Sequence, residues 1–196
     1  ARMTMAKKSS SGRNGNTTRL RDSGSWILGG AELIPTKNPN FFLRFATPDD
    51  AGLVVGFMKK LGSYQKMADK IIATEAGIRK LLTEGKGESV FGIYEGEVVA
   101  FFYFCQTSSA FTGQSGLYMD GFYVDDAYRS HGFGKIMMAF LSKLAVERGC
   151  QRLEWGCLDW NEPSINFYKS LGAYGVDNMT IYRFSPDTLR ENALRF

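Results

Sequence analysis

Apolar residues recur along the chain with two periods, and the period changes mark the elements. Phe41 to Ala46 reads as a first strand. Thr47-Pro48-Asp49-Asp50 then has the form of a helix start: a capping Thr, Pro in the first turn and acids beside it. Leu53, Val54, Phe57, Met58 and Leu61 supply the apolar face of that helix, and residues 62–67 read as a loop or break. Thr74-Glu75 opens a second helix through Ile78, Leu81 and Leu82, ending near Gly85. Ser89 to Tyr94 and Val98 to Cys105 form a hairpin around Glu95-Gly96-Glu97. Residues 107–116 are small and polar, a loop between strands, and Leu117 to Val124 is the next strand. Phe133, Ile136, Met137, Phe140, Leu141 and Leu144 then hold helical spacing as far as about Arg148, where Gly149 stops the run. Arg152 to Leu158 is a strand expected to lie parallel to Leu117–Val124 after a right-handed helical crossover. Asn161 caps a short helix carrying Ile165, Tyr168 and Leu171, and Ala173 to Asp177 and Met179 to Phe184 are expected to close the sheet. The pattern predicts a mixed, mostly antiparallel sheet with helices on both faces.

Composition changes this picture at the N-terminus. Residues 1–38 are rich in Ser, Gly, Asn and Arg without periodicity and read as a basic, disordered tail, leaving 39–196 as the folded domain. A cleaved targeting segment or a tether to an anionic surface are the alternatives, and the apolar core of a secretory signal is missing from the stretch. Trp26-Ile27-Leu28 and Leu33-Ile34 have the composition to dock on the body. The net charge is +4, but residues 1–22 hold six bases and one acid, so the other 174 carry −1. The basic balance thus belongs to the tail, and nucleic-acid binding by the body has no electrostatic support. No apolar run is long enough to span a membrane. Three scattered cysteines (Cys105, Cys150, Cys157) form no metal pattern and point to buried thiols in a reducing, cytoplasmic setting, and one histidine argues against a zinc site.

The chemistry concentrates between the Leu117–Val124 strand and the helix that follows. Arg129-x-x-Gly132-x-Gly134 opens that helix. Unpaired N–H groups and the helix dipole favour an anion there, and glycine lets backbone approach it. Taken alone, the loop is equally well a tight turn. It is not a P-loop, having no Gly-Lys-Ser/Thr end, and it is a poor dinucleotide fingerprint because Arg129 and Ser130 stand where that pattern begins with glycine.

A second motif, Asn161-Glu162-Pro163-Ser164-Ile165-Asn166-Phe167-Tyr168, stands on the capped helix beyond the next strand. With both motifs in this order of elements, the chain resembles the GCN5-related N-acetyltransferase (GNAT) superfamily over about residues 41–185. Within it, the second motif and Tyr118-Met119-Asp120-Gly121-Phe122-Tyr123-Val124 are closest to the spermidine/spermine and thialysine acetyltransferases. The resemblance implies an α+β fold: a mostly antiparallel sheet of about six to seven strands with a splayed parallel pair. It implies acetyl transfer from acetyl-CoA, without a metal or a covalent enzyme intermediate, to a primary amine of a diamine, polyamine or lysine-like amino acid. It also implies a homodimer. Acetylation of protein lysines or N-termini, and a CoA-binding sensor without turnover, are the competing readings.

Carried onto this sequence, the resemblance makes Phe122, Tyr123, Val124, Arg129, Ser130, His131, Gly132, Phe133, Gly134, Lys135, Asn161, Ser164 and Tyr168 the acetyl-CoA residues. For His131 the backbone N–H is what matters, and Asn161 is explained equally by its capping role. Tyr168 matches the general acid that protonates the departing thiolate. Its helical position alone, on the face of Ile165 and Leu171, favours an aromatic packed under the sheet; the motif is what turns the reading toward catalysis. Asp120 stands where relatives have a glutamate facing the amine and is one methylene shorter, which suits deprotonation through a water; a strand-edge charge meeting solvent is the plain alternative. Glu154 is a similar acid on the neighbouring strand, and Trp155 and Gly156 match substrate-contacting positions. Tyr64-Gln65 falls where relatives carry an aromatic and an acid that binds the far ammonium of a polyamine. The neutral Gln65 amide does not neutralise a second cation, which favours shorter amines.

Overall fold

The computed structural model describes residues 19–20, 26–28 and 31–196, with side chains from Glu32 onward. The disordered tail expected upstream lies, apart from its strand residues, outside the described residues. The chain divides into two compact units, Ala1–Gly156 and Cys157–Phe196.

The first unit is built on a sheet whose strands follow one another in chain order: β1 (Arg19–Leu20), β2 (Trp26–Leu28), β3 (Ala31–Pro35), β4 (Phe41–Phe45), β5 (Glu88–Tyr94), β6 (Glu97–Ser109), β7 (Gln114–Val124) and β8 (Arg152–Trp155). Every neighbouring pair is antiparallel except β7–β8. The six strands from β3 to β8 carry the expected architecture, mostly antiparallel with one parallel pair. Ala31–Pro35, counted with the tail in the sequence reading, is a strand paired with β4, and its Leu33 packs with Ile93. The folded body therefore starts upstream of the boundary expected at residue 39. β6 and β7 also run further than expected, because Thr107, Ser108 and Ser109 pair in register with Gly116, Ser115 and Gln114. Their small polar side chains conceal a ladder that backbone pairing alone creates.

Helices cover both faces. After a 3-10 turn at Pro48–Asp50 come α1 (Ala51–Tyr64), which continues into the expected break, and α2 (Glu75–Thr83), capped by Thr74 accepting the Gly77 N–H. On this face Phe57 stacks on Phe101 with ring centroids 5.1 Å apart and packs with Phe91, Val54, Ile78 and Tyr103. The other face takes α3 (Phe133–Glu147), the crossover between β7 and β8. Here Phe133 lies flat on Phe41 at 4.2 Å and Phe140 meets Phe45 edge-on. Met137 and Leu141 are fully buried.

The second unit holds α4 (Glu162–Ser170) and α5 (Pro186–Ala193). The two closing strands expected at 173–177 and 179–184 are not formed. Tyr174, Met179, Ile181 and Tyr182 are instead largely exposed. Strand propensity without a partner ladder is not enough to make a strand. Conversely, Ser185-Pro186-Asp187 is a helix start that the sequence reading passed over: Ser185 Oγ accepts the Thr188 N–H at 3.1 Å.

Candidate active site

The loop after β7 has the geometry of an anion-binding turn. Ser130 and Gly132 both take left-handed backbone, at φ 64° and φ 82°. Gly132 is the N-cap of α3 and brings no side chain to its first turn. The first i to i−4 bond of the helix is Ile136 N–H to Gly132 C=O, so the N–H groups of Phe133, Gly134 and Lys135 precede the helical ladder. Phe133 nails this end of α3 to the sheet through Phe41 and is nearly parallel to the His131 ring at 5.6 Å. His131 Nδ1 meets the Arg129 carbonyl at 2.9 Å, which makes its ring a strut of the loop.

The end of β7 is the second part. Asp125 N–H donates to Val99 C=O. Hydrogen-bonded and non-bonded pairs alternate in an antiparallel ladder, so Val124, opposite Ala100, turns its N–H and C=O away from β6. The last β7–β8 pair is Met119 with Trp155, while β7 runs on to Val124. The Val124 peptide therefore faces the side where β8 has already ended. Its C=O accepts from Arg129 Nε at 3.1 Å.

Arg129 does more than reach that carbonyl. It pairs with Asp126 at 2.6 Å, and its guanidinium lies over the rings of Tyr64 (4.6 Å) and Tyr123 (5.2 Å). Tyr123 donates to the same Asp126 oxygen at 2.9 Å. Burial, then the Asp126 hydrogen bond and charge, push the Tyr123 hydroxyl up to about 12 despite the opposing Arg129 charge. Asp125 takes both oxygens to Lys60 of α1 at 2.8 and 2.9 Å. Asp125 and Asp126 thus tie the loop to α1 and to β7. Lys59, Lys60, Ser63, Tyr64, Tyr123 and Asp126 line a cavity of about 410 Å³ there.

Asp120 occupies an irregularity. Tyr103 pairs with Gly121 and Phe104 with Met119, which leaves Asp120 as the extra residue of a β-bulge. It is exposed, not sunk in an apolar strand. Tyr103 and Cys105 are its neighbours on the α1 face: burial first, and then the Asp120 charge, raise both above their ordinary values. A side chain at Gly87 would run into the Tyr103 hydroxyl, so glycine makes room for this wall. Glu154 is opposite Tyr118 in the parallel pair and is held by Arg152 at 3.0 Å; a Cβ on Gly156 would lie 3.7 Å from the Tyr118 hydroxyl. Tyr103 and Cys105 were not legible as neighbours of Asp120, since only strand register brings them together. Trp155 is half-buried at the end of β8, and Phe122 is half-buried on β7. Tyr64 sits in the last turn of α1 beside Arg129, and Gln65 caps it, its N–H bonded to Leu61 C=O. Ser130 and Lys135 are exposed.

In the second unit, Asn161 is 4% exposed and accepts the Ser164 N–H at 3.4 Å, as the cap reading expected. Tyr168 is half-buried on α4, its ring edge-on to Phe167 at 5.4 Å. Among the described residues no group of His, Cys, Asp and Glu is arranged to hold a metal ion, and no helix is long and apolar enough to cross a membrane.

Comparison with known proteins agrees with this geometry. The chain is 27% identical over 167 residues to a thialysine N-epsilon-acetyltransferase from Bos taurus, covering 77% of this chain and 96% of that one. It is 29% identical over 168 residues to a spermidine/spermine N(1)-acetyltransferase-like protein from Homo sapiens, covering 78% of this chain and 24% of the relative. In fold it is similar to an integron cassette protein from V. cholerae, with a TM-score of 0.65 at 24% identity over 79% of this chain and 98% of that one. Residues 62–173, which run from the end of α1 past the second motif, match the model of the acetyltransferase (GNAT) family. A match over more than half the chain, on this sheet and this loop, makes the chain a member of the GNAT family and an acetyl-transferring enzyme.

Proposed function

We propose that this enzyme acetylates the primary amine of a small molecule, a short diamine or a lysine-like amino acid, by direct transfer from acetyl-CoA. The observation that carries the reading is the Val124 peptide, turned away from β6 beyond the end of β8 and one loop away from the α3 amides. The residues fit the donor: the N–H groups of Phe133, Gly134 and Lys135, under a side-chain-free cap, suit a diphosphate. Asn161 and Ser164 are assigned to the rest of the carrier. When bound, acetyl-CoA supplies a thioester carbonyl and a thiolate leaving group.

The chain's own groups then have defined tasks. An alkylamine, with a reference pKa of about 10.4, arrives protonated. The Asp120 carboxylate accepts that proton through a water, with Tyr103 and Tyr118 as aromatic walls and Glu154, Trp155 and Gly156 flanking the acceptor. Val124 N–H donates to the carbonyl oxygen as charge builds there. As the new C–N bond forms and the C–S bond breaks, the Tyr168 hydroxyl gives its proton to the thiolate and is restored by the second proton that the nitrogen sheds as the amide forms; reference values of about 10 and about 8.5 leave the first transfer uphill by only about 1.5 pKa units. Asp120 and Tyr168 are thus the assigned proton-handling pair.

The relatives' names point to lysine-like and polyamine acceptors, and Gln65 favours the shorter ones. A cytoplasmic homodimer working without metal, nucleic acid or membrane completes the reading and rests on the resemblance and composition alone. The test is turnover with acetyl-CoA on lysine analogues, diamines, spermidine, spermine and a lysine peptide, for wild type and Tyr168→Phe. Short amines should be preferred, and Tyr168→Phe should lose about 10²- to 10⁴-fold in kcat while still binding CoA. Unchanged turnover in the variant removes the acid assignment. A marked preference for the peptide or for spermine overturns the acceptor class, and CoA binding without turnover on any amine leaves a sensor.

A further inference from the structure

We propose that the Arg129 side chain is a positioning residue that fixes the Val124 peptide, and that it is not a ligand of the carrier's diphosphate. The inference rests on the acetyl-transfer reading and assigns one side chain within it.

The guanidinium is already engaged at two of its nitrogens and packed against two rings. Its Nε–H donates to Val124 C=O at 3.1 Å, and Nη2 pairs with Asp126 at 2.6 Å. Its Cζ also lies over two aromatic rings, Tyr64 at 4.6 Å and Tyr123 at 5.2 Å, themselves edge-to-face at 6.4 Å. Asp126 neutralises the charge locally and is held in turn by the Tyr123 hydroxyl at 2.9 Å. Releasing Arg129 toward a phosphate would leave the Asp126 carboxylate without its cation and expose two aromatic faces. Stacked, bidentate-capable arginine is the form this side chain takes where geometry rather than bare charge is required.

What the arrangement fixes is a peptide orientation. In an extended strand the N–H and C=O of one residue point to the same side. Pinning the Val124 carbonyl with Arg129 therefore also sets the direction of the Val124 N–H, which no β8 residue pairs in register. The brace gathers three elements at this point: α1 through Tyr64 and Lys60, β7 through Tyr123 and Val124, and the loop through Asp126 and Arg129. Tyr64, expected from the resemblance to touch the acceptor, is the lid of this brace. The diphosphate is left to backbone N–H groups and, for charge, to the exposed Lys135.

The test separates binding from turnover. Wild type, Arg129→Lys and Tyr64→Leu are compared for CoA affinity by calorimetry, for kcat at saturating acetyl-CoA and amine, and for thermal midpoint. Arg129→Lys keeps the charge but loses the fork and the stack. It should hold the CoA Kd within about threefold while kcat falls at least tenfold, part of the about 10²- to 10³-fold that one oxyanion donor is worth. Tyr64→Leu, which leaves the Nε bond in place, should lower kcat less and leave Kd unchanged. It carries the test if the arginine variant fails to fold. A tenfold weaker CoA Kd with saturating kcat intact would make Arg129 a phosphate ligand and overturn the proposal. No change in either quantity would overturn it as well. Failure of the acetyl-transfer reading itself shows differently, as absent wild-type turnover.

Discussion

Replacing Gly132 with alanine isolates the backbone cost of the turn that opens α3. A Cβ built at this position meets no protein atom within 4 Å, so collision contributes nothing. The penalty is conformational alone: φ 82° and ψ −2° lie in the left-handed region, which an L side chain enters at a cost of about 1–2 kcal/mol. Alanine also restricts the unfolded chain, which returns about 0.4–1 kcal/mol when the native conformation suits it and less when it does not. The net expectation is a loss of about 1 kcal/mol, read as a lower urea midpoint at unchanged slope and a thermal midpoint lower by about 2–4 °C for a chain of this size. Gly132→Asn should cost visibly less, because asparagine tolerates this region. Titration with CoA completes the experiment. Strain relieved by rotating the cap redirects the Phe133, Gly134 and Lys135 N–H groups, so affinity should fall about tenfold in the alanine variant. Equal costs for alanine and asparagine would refute the conformational argument. Full CoA affinity in a destabilised alanine variant would refute the placement of the diphosphate at this turn.

Gly92→Ala tests the opposite case, in which space and not φ is limiting. The new methyl would sit 2.5 Å from Phe41 Cζ and 3.1 Å from the Ala100 Cβ. Phe41 is fully buried and clamped by Phe133, so an overpacking cost of about 1–3 kcal/mol is expected by urea denaturation; a neutral result would mean that the Phe41–Phe133 stack yields easily. Asp50 predicts a pH dependence. Burial alone would raise its carboxyl, but the bonds from Arg44 (2.7 and 2.8 Å) and the Thr47 N–H (2.7 Å) outweigh it and hold the group below its ordinary value. A depressed native value means the unfolded chain binds the proton more readily, so this stabilisation is present above about pH 4 and is lost as pH falls through the native value. Asp50→Asn should therefore be about 1–3 kcal/mol less stable than wild type at pH 7, with the gap narrowing by pH 3; a gap that stays constant or widens contradicts the ion-pair account.

The legible parts of this chain are those in which local chemistry and long-range packing agree. Thr74, Asn161 and the spacing of Phe133 to Leu144 announce their helices, because a cap and an amphipathic stripe are written within a few residues. The order of strand, glycine loop, helix, strand and capped helix was enough to place the family. Three things were not legible, each for want of a partner. The ladder from Thr107 to Gln114 is made by backbone groups that any small polar residue supplies. The apolar run Met179–Phe184 has strand composition, yet a strand is a relation between two segments and none is made there. The site is similar: the bulge that brings Asp120 to the surface belongs to the β6–β7 pair and is not written in β7 alone. The contact of Arg129 with Tyr64 depends on a helix that ends 65 residues earlier.

One surplus residue in β7 leaves the strand on either side of it in step with β6. Met119 opposite Phe104 and Gly121 opposite Tyr103 already point to opposite faces, so excising Asp120 would close the ladder without turning any neighbour over. Tyr123 and the Val124 amide would keep their directions; what would go is the carboxylate, with the extra twist that the bulge gives the strand. The position is an addition to a sheet that is complete without it, so a chain lacking it should fold and yet lose the acid.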